Sequence, residues 1–293
     1  MMRSALEKFI GNPRILALDR KISMRTPYIV KKFIPQPIKN RVGLVRWGAK
    51  FNNAGYSVER RSDEFYICGN GLCFTINNLG LAGEVILGRE YEFDTGGFDW
   101  VVIDIGLNVG LTSLYLARKP EIKKIYSFEP YPTFDKAILN MGLNPELAQK
   151  IEAYHFGLSD IDVARNLPYD PKLSGCQSSI SEKQNRLFGY SDQSAKIELR
   201  RASDVLAPIF ADAGDSGRKV MIKIDCEGAE REIIPDLSAA GLLRRTGAIV
   251  MEYHDNYCDP LVEILERDGF SVGVTAVPRM DIGMIRANKG AQK

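Results

Sequence analysis

The sequence predicts an α/β fold in which helices cover both faces of a mostly parallel, doubly wound sheet of seven strands. From Asp99 onward, short apolar runs alternate with helix-like segments, a pattern typical of parallel sheets. The first run, Trp100–Ile105, is apolar except for one aspartate and ends at a glycine, which suits a strand buried on both faces. The last two runs, Ser271–Ala276 and Asp281–Arg286, have no helix between them and predict an antiparallel pair at the sheet edge.

The elements between these runs alternate regularly, and right-handed crossovers between them give a Rossmann-like sheet. The other predicted strands are Lys124–Phe128, Ile151–Phe156, Val220–Ile224 and Ala248–Glu252. The predicted helices are Leu111–Arg118, Pro132–Met141, Ala229–Leu237 and Pro260–Arg267. Residues 159–219 are longer than a plain crossover and contain a predicted strand, Lys196–Leu199. We interpret them as an insertion on the substrate side of the site.

Residues 1–98 are predicted to form an extension in front of the main domain, residues 99–293. The first 61 residues hold 14 lysines and arginines against three acids. This basic arm predicts peripheral contact with an acidic surface, a lipid-linked substrate or nucleic acid, although a solvated helical arm explains the same pattern. Glu64–Cys68 and Leu72–Ile76 flank a Gly-Asn-Gly turn and predict a β-hairpin, which makes the extension a candidate homodimer surface.

The compartment is predicted from what the sequence lacks. No apolar run approaches the roughly 20 residues that span a bilayer, and the start does not resemble a secretory signal, so we expect a cytoplasmic protein. The cysteines are odd in number and never spaced as C-x-x-C: Cys68, Cys73, Cys176, Cys226 and Cys258. We therefore expect free thiols, with neither a disulfide framework nor a zinc site. With only two histidines, a multi-histidine metal site is nearly excluded.

The strongest local signal is the segment Asp104-Ile-Gly106-Leu-Asn108-Val-Gly110, where the first strand turns into the first helix. Gly106 permits a sharp turn and a close approach of ligand to backbone, and the helix that follows offers free amide N–H groups. A negative charge at Asp104 would repel a pyrophosphate but suits the cationic amino-acid end of S-adenosylmethionine. An ordinary glycine-rich turn with capping Asp and Asn residues is the structural alternative.

Acidic residues also end two further strands. Glu129 ends the second strand, where a carboxylate can accept hydrogen bonds from both ribose hydroxyls of a nucleoside. Lys223 interrupts the apolar fourth strand, so we expect its amine to find an acidic partner. Asp225 and Glu227 follow it at the edge of the sheet where ligands bind, and Glu230 fits either a functional role or helix capping.

The fifth strand ends in Glu252-Tyr-His254, which places Glu252 and His254 on the same side. An imidazole titrates near neutral pH and can accept a hydroxyl proton. His254 is therefore the first candidate for a general base and Asp225 the second, while a structural role for His254 remains open. His155, inside the third predicted strand, is assigned a structural role.

Taken in order, these segments resemble the FkbM-type family of S-adenosylmethionine-dependent methyltransferases. The family pattern is D-x-G-A-N-x-G, F-E-P, K-x-D-x-E-G-x-E and E-x-H, and the resemblance covers about two thirds of the chain, Asp99–Arg286. Leu107 replaces the usual alanine, and its larger side chain could crowd the methionine end of the cofactor. The resemblance implies a class I methyltransferase fold and an O-methyltransferase acting on a hydroxyl of a sugar, glycan or natural product.

The predicted site therefore has two parts and no resident metal. Its cofactor-binding residues are Asp104, Gly106, Asn108, Gly110, Glu129 and Asp160, the last from the loop after the third strand, where it could equally form a turn. Its catalytic residues are His254, Asp225, Glu227 and Glu252. The alternatives are a divalent metal held by Asp225, Glu227 and Glu252, an RNA methyltransferase that uses the basic arm, and a cofactor-binding module without catalysis. Of these, nucleic acid is disfavoured because the arm contains no recognisable RNA-binding module.

Overall fold

The computed structural model describes residues 47–169, 194–277 and 281–289. The basic arm up to residue 46 and the serines Ser178 and Ser179, considered as substrate contacts, lie outside this range. The chain divides into two compact units, Met1–Glu90 and Tyr91–Lys293, so residues 91–98 belong with the main domain and not with the extension.

The first unit contains a small antiparallel sheet with the order β1-β2-β3. Its strands are β1 Tyr56–Arg61, β2 Glu64–Gly69 and β3 Leu72–Ile76, and a helix, α1, spans Leu79–Ile86. The predicted hairpin is confirmed as β2 and β3, and β1 is an additional strand. Side chains of β3 alternate between buried and half-buried, as expected for a strand with one face on a core.

The expectation of free thiols is wrong for one pair of cysteines, because Cys68 and Cys73 form a disulfide. The tight turn sets the register of the hairpin so that these two residues stand directly opposite each other on β2 and β3. Cysteine spacing along the chain does not show this register. Cys226 and Cys258 are free thiols, and Cys176 lies outside the described residues.

The second unit contains the predicted seven-stranded sheet, with the order β12-β13-β11-β10-β4-β5-β6. Its strands are β4 Trp100–Ile105, β5 Ile122–Phe128, β6 Ile151–Tyr154, β10 Lys219–Ile224, β11 Thr246–Tyr253, β12 Ser271–Ala276 and β13 Gly283–Asn288. Its helices are α2 Leu111–Ala117, α3 Thr133–Gly142, α4 Pro145–Ala148, α5 Ala202–Asp215, α6 Glu230–Ala239 and α7 Cys258–Arg267. Only β13 runs antiparallel to its neighbours, β11 and β12, so the predicted doubly wound sheet with an antiparallel edge pair is confirmed.

Residues 159–219 are only in part an insertion. The strands β7 Gly157–Ser159, β8 Val163–Pro168 and β9 Ser194–Arg201 form a separate sheet with the order β7-β9-β8. The chain then returns to β10 through α5, an ordinary crossover helix that the sequence did not reveal because Pro208 lies inside it. Among the described residues, no helix has the length and apolarity that a membrane span needs.

A polar row crosses the centre of the main sheet. In the parallel register, Lys223 of β10 stands beside Asp104 of β4, which stands beside Ser127 of β5. Lys223 Nζ lies 2.9 Å from Asp104 Oδ1, and both side chains are at most 1% exposed. Ser113 Oγ donates to Asp104 Oδ2 at 2.6 Å and lies 2.8 Å from Ser127 Oγ. The expected acidic partner of Lys223 is therefore Asp104.

The environment of Lys223 keeps it charged. Burial opposes the ammonium form, but the carboxylates of Asp104 and Asp225 outweigh burial and raise the pKa of Lys223. The ammonium also donates to the carbonyl oxygens of Gly106 at 2.5 Å and Ile105 at 3.3 Å. It thereby holds the backbone just where β4 ends.

Replacing Lys223 with methionine should destabilise the protein by about 3–5 kcal/mol, because Asp104 would then be a buried charge without its counter-ion. Urea denaturation of the wild type and the variant measures this difference. Adding Asp104→Asn to Lys223→Met should recover part of the loss. The control is Lys123→Met, which breaks the exposed 3.2 Å pair with Asp99 and should cost less than about 1 kcal/mol. Equal midpoints for Lys223→Met and wild type would contradict this account.

Candidate functional site

A cleft opens where β4, β5 and β10 end. The cleft is open to solvent, and the space between its lining atoms together with that open solvent amounts to about 690 Å³. It is lined by Ile105, Gly106, Asn108, Phe128, Glu129, Pro130, Tyr131, Thr133, Gly157, Leu158, Leu199, Asp225, Cys226, Glu227 and Ala229. The carboxyl ends of the main strands form one side of the cleft, and Gly157, Leu158 and Leu199 come from the small sheet β7-β9-β8.

Gly106 begins the loop between β4 and α2, where the backbone that follows the neighbouring strand β10 leaves no room for a side chain. Its φ is +86°, and a Cβ atom here would lie 1.8 Å from the carbonyl oxygen of Asp225. The absence of a side chain therefore serves close packing of the protein backbone, whereas the sequence suggested a ligand as the close neighbour. Gly110, which precedes α2 with a φ of +82°, has Ala137 as its nearest neighbour and does not line the cleft.

Asn108 links this loop to Glu129. Its φ is +51°, a left-handed conformation that asparagine tolerates better than most residues. Its backbone N–H donates to Glu129 Oε2 at 2.7 Å. Its side-chain Oδ1 is buried and accepts no hydrogen bond from any described residue. Leu107 points away into the core at 2% exposure and does not crowd the cleft.

Glu129 is 5% exposed and lies at the end of β5 as predicted. Its Oε1 accepts a hydrogen bond from the N–H of Tyr131 at 2.9 Å. Burial raises the pKa of Glu129 to about 6, although the backbone N–H groups of Tyr131 and Asn108 favour the charged form. The side chain of Thr133 is a third hydrogen-bond partner of Glu129. Since each carboxylate oxygen can accept about two hydrogen bonds, the group retains acceptor capacity for a ligand hydroxyl.

Besides Gly110, two more of the predicted cofactor residues lie away from the cleft lining. Asp104 is fully buried and is engaged by Lys223 and Ser113, so it acts on the site through those contacts. Asp160 is exposed and accepts a hydrogen bond from Ser159 Oγ at 3.2 Å. Direct contact of either residue with a cofactor stays a prediction.

Asp225 lines the cleft directly after β10. Its backbone N–H continues the sheet by donating to Ile105 at 3.0 Å. Its side-chain Oδ2 accepts a hydrogen bond from the hydroxyl of Tyr91 at 2.8 Å. The next residue, Cys226, also lines the cleft, but burial raises its pKa well above the usual thiol value, so it is not a thiolate nucleophile.

His254 lies between two carboxylates and is 2% exposed. Its Nδ1 is 3.3 Å from Glu230 Oε1, and its Nε2 is 3.4 Å from Glu227 Oε2. A neutral imidazole has one N–H and satisfies one carboxylate only, so this arrangement favours the imidazolium. Burial opposes that charge, but the hydrogen bond to Glu230 and the charges of Glu227, Glu230 and Glu252 raise the pKa of His254 to about 10. Its geometry thus favours a positioning role over that of a base at neutral pH.

Glu230 joins two segments of backbone. Its Oε2 accepts from the N–H of Gly228 at 2.9 Å, in the turn before α6, and α6 has no side-chain cap. Its Oε1 accepts from the backbone N–H of His254 at 2.9 Å. Glu252 contributes to the charge around His254 but is not part of the cleft lining.

Asp225, Glu227 and His254 offer atoms that lie within 4.8 Å of one another, close enough to surround a cation. The sequence had grouped Asp225, Glu227 and Glu252 for this purpose. A metal would require His254 to lose its proton and turn Nε2 from Glu227 to the ion, because an imidazolium has no lone pair to offer. The arrangement as it stands does not favour a metal.

Sequence reasoning missed Tyr91 and Tyr131. Tyr91 lies before residue 99, the predicted start of the main domain, and its hydroxyl donates a hydrogen bond to Asp225. Tyr131 follows Glu129 by two residues, is 7% exposed and lines the cleft. Its ring stacks on Tyr169 with centroids 5.9 Å apart, and its hydroxyl is buried with no hydrogen-bond partner among the described residues. In the sequence, the position of Tyr131 two residues after the strand-end acid Glu129 could have indicated a role in the site.

His155, which the sequence analysis expected to be structural, is exposed at the end of β6 and stacks on Phe134.

Comparison with known proteins shows to which family the chain belongs. Residues 104–272, more than half of the chain, match the family model described as the methyltransferase FkbM domain. The chain belongs to this family. The resemblance predicted from the ordered segments is thereby confirmed, and the protein is an S-adenosylmethionine-dependent methyltransferase.

Two curated methyltransferases and one solved structure are among the proteins to which this chain is similar. Methyltransferase sdnD of Sordaria araneosa is 30% identical over 191 residues, covering 58% of this chain and 73% of that protein. Methyltransferase 1 of Beauveria bassiana (strain ARSEF 2860) is 26% identical over 208 residues, covering 65% of this chain and 80% of that protein. The solved structure of methyltransferase FkbM from Methylobacillus flagellatus KT aligns with a TM-score of 0.43 and 14% identity, over 94% of this chain and 59% of that chain.

The residues in the cleft of this FkbM-family protein fit S-adenosylmethionine. The unpartnered Oδ1 of Asn108 can accept a hydrogen bond from an ammonium group, and the Glu129 oxygens can accept from ribose hydroxyls. The carboxylates of Asp225 and Glu227 favour a positively charged ligand over a pyrophosphate.

Gly106→Ala should destabilise the domain by about 3 kcal/mol or more, because the new Cβ would overlap the Asp225 carbonyl and the positive φ would be strained. Thermal and urea unfolding measure the change. Gly142→Ala is the matched control: nothing lies within 4 Å of its Cβ position at the end of α3, and the variant should be neutral or slightly more stable. Similar stability of the two variants would refute the close-approach explanation.

The pKa of Glu129, about 6, predicts pH-dependent cofactor binding. Only the carboxylate accepts hydrogen bonds from both ribose hydroxyls, so S-adenosylhomocysteine affinity should fall about tenfold between pH 7.5 and pH 5. Calorimetric titration across this range measures the effect. Glu129→Gln should bind more weakly and show no corresponding change with pH. Parallel pH curves for the variant and the wild type would assign the titration to another group.

Proposed function

We propose that this methyltransferase transfers a methyl group to a hydroxyl oxygen of a sugar, glycan or hydroxylated natural product, with Asp225 as the general base. The observation that carries this proposal is the position of Asp225. Its carboxylate lines the cleft at the end of β10, as Asn108 and Glu129 also do, and is oriented by a hydrogen bond from Tyr91.

The chemistry needs a nucleophilic oxygen and a place for its proton. S-adenosylmethionine, when bound, supplies a methyl group made electrophilic by its sulfonium. Asp225 holds the acceptor hydroxyl through a hydrogen bond and takes its proton as the oxygen attacks, while Tyr91 fixes the Asp225 carboxylate by donating to Oδ2. Leu158 and Leu199 exclude water from one side of the cleft. Positioning of this kind supplies much of the rate in a transfer between two bound molecules.

Asp225 is a better candidate for the general base than His254 because the surroundings of the two side chains differ. His254 is buried between Glu227 and Glu230, with a pKa raised to about 10, and already holds the proton that a base must accept. Asp225 is half-buried and lines the cleft. His254 then serves the reaction through Glu227, whose carboxylate it holds in place.

The other sequence-based expectations extend this proposal. The basic arm brings the enzyme to an acidic surface or to a lipid-linked acceptor, in the cytoplasm, and the N-terminal unit is a candidate dimer surface. The excess of positive charge supports the contact with an acidic surface, the lack of a secretory signal or apolar span supports the cytoplasmic location, and the hairpin supports the dimer surface.

A divalent metal that assists the transfer is the second candidate function. The ligand atoms of Asp225, Glu227 and His254 lie close enough together to hold one, on the condition that His254 releases its proton. Inhibition by a chelator, reversed by magnesium, would establish it.

The proposal is tested first with a panel of acceptors: nucleotide-linked sugars, lipid-linked sugars and hydroxylated natural products. Incubation with S-adenosylmethionine labelled in the methyl group, followed by NMR of any product, identifies the methylated atom. An O-methyl signal supports the proposal. Transfer to nitrogen or carbon, or to RNA with a steep salt dependence, would contradict it.

With an acceptor in hand, Asp225→Asn should lower kcat by about 10²–10⁴-fold, because the amide cannot take the proton. Its affinity for S-adenosylhomocysteine should remain close to that of the wild type. Asp255→Asn, the same change at a residue that pairs with Arg231 and does not line the cleft, is the control and should retain kcat. Unchanged kcat in Asp225→Asn would exclude Asp225 as the base.

A further inference from the structure

We propose that the cleft recognises the positive charge on the methyl donor. Glu227, held in place by His254, which also contacts Glu230, makes the cleft bind S-adenosylmethionine more tightly than the product S-adenosylhomocysteine, whose sulfur carries no charge. This inference rests on S-adenosylmethionine as the methyl donor and is independent of the atom that receives the methyl group.

The charges around the cleft have one sign. Among the described residues that line it, Glu129, Asp225 and Glu227 are acidic, and none is lysine, arginine or histidine. Lys223 lies beneath the surface at 1% exposure, and Asp104 balances its charge. A ligand in the cleft therefore meets a negative potential, which favours a cation over a neutral molecule of the same shape.

Glu227 is fixed more firmly than an ordinary surface carboxylate. Its side chain is 14% exposed and lies 3.4 Å from His254 Nε2, and the other nitrogen of that imidazole faces Glu230, which is fully buried. The backbone of Glu227 has a φ of +56°, a left-handed conformation that is unfavourable for a residue with a side chain. The fold thus maintains a strained residue with its carboxylate at the cleft.

A second observation shows that a polar ligand belongs here. The hydroxyl of Tyr131 is buried in the same cleft and has no hydrogen-bond partner among the described residues. Burial, together with the charges of Glu129 and Glu227, raises the pKa of Tyr131, so its phenol stays neutral and lies close to both carboxylates. A buried hydroxyl without a partner destabilises the protein, and a polar ligand that bonds to it in the cleft removes this cost.

The consequence concerns the order of binding and release. S-adenosylmethionine and S-adenosylhomocysteine share the ribose, adenine and amino-acid groups and differ in the charge at sulfur. Contacts of the ribose with Glu129 are common to both, whereas attraction to Glu227 exists only before transfer. Because the sulfur loses its positive charge in the transfer, the cleft binds the product more weakly than the methyl donor. Inhibition of the enzyme by its product is therefore low.

Calorimetric titration of the full chain with three ligands tests the inference: S-adenosylmethionine, S-adenosylhomocysteine and sinefungin, in which a protonated amine provides the positive charge. In the wild type, both cationic ligands should bind about tenfold more tightly than S-adenosylhomocysteine. Glu227→Gln should bring the three affinities within about twofold of one another by weakening only the cationic ligands. Glu227→Asn, which suits a positive φ, should do the same and guards against misfolding of the first variant.

Glu129→Gln is the matched control, since it removes an equal charge at the ribose end of the cleft. It should weaken all three ligands by similar factors. Wild-type affinity for S-adenosylhomocysteine equal to or above that for S-adenosylmethionine would overturn the inference. So would a uniform loss of all three affinities in both Glu227 variants. If the folded wild type bound none of the three, the methyl donor itself would be wrong and the inference would fall with it, whereas an acceptor other than oxygen would leave it intact.

Discussion

The buried ion pair between Asp104 and Lys223 is the contact on which the geometry of the cleft depends. It joins the two central strands near their carboxyl ends, and Ser113 and Ser127 extend it to a third strand. Each segment of the site begins within two residues of this row: Gly106 follows Asp104, Glu129 follows Ser127, and Asp225 follows Lys223. A charged row in the middle of an apolar sheet costs desolvation, but it fixes three loops at once.

Above this row, the side chains divide into two groups with different tasks. Asn108 and Glu129 present hydrogen-bond acceptors to a ligand, and Glu129 is held by the backbone of its own loop. Glu227 depends on side chains from other elements, because His254 comes after β11 and Glu230 begins α6. The first group is local in sequence and suits a cofactor common to a family. The second depends on tertiary packing, and it places a negative charge in the lining of the cleft.

The sequence predicted the strands of the main sheet and the strand-end acids because apolar runs and their terminal residues are local patterns. It could not show that Asp104 is paired with Lys223, since that pairing follows from strand register across more than 100 residues of chain. It also could not show that both nitrogens of His254 face carboxylates, so the residue that most resembled a base is better explained as a cation that positions Glu227. Likewise, α5 was hidden by an internal proline, and the disulfide by the hairpin register.

The small sheet β7-β9-β8 is hydrogen-bonded within itself and separate from the seven-stranded sheet, yet it contributes Leu158 and Leu199 to the cleft. Substitutions on its cleft face alter the shape of that wall without disturbing the register that aligns Asp104 with Lys223. This separation makes the small sheet a suitable target for directed evolution of the shape of the cleft.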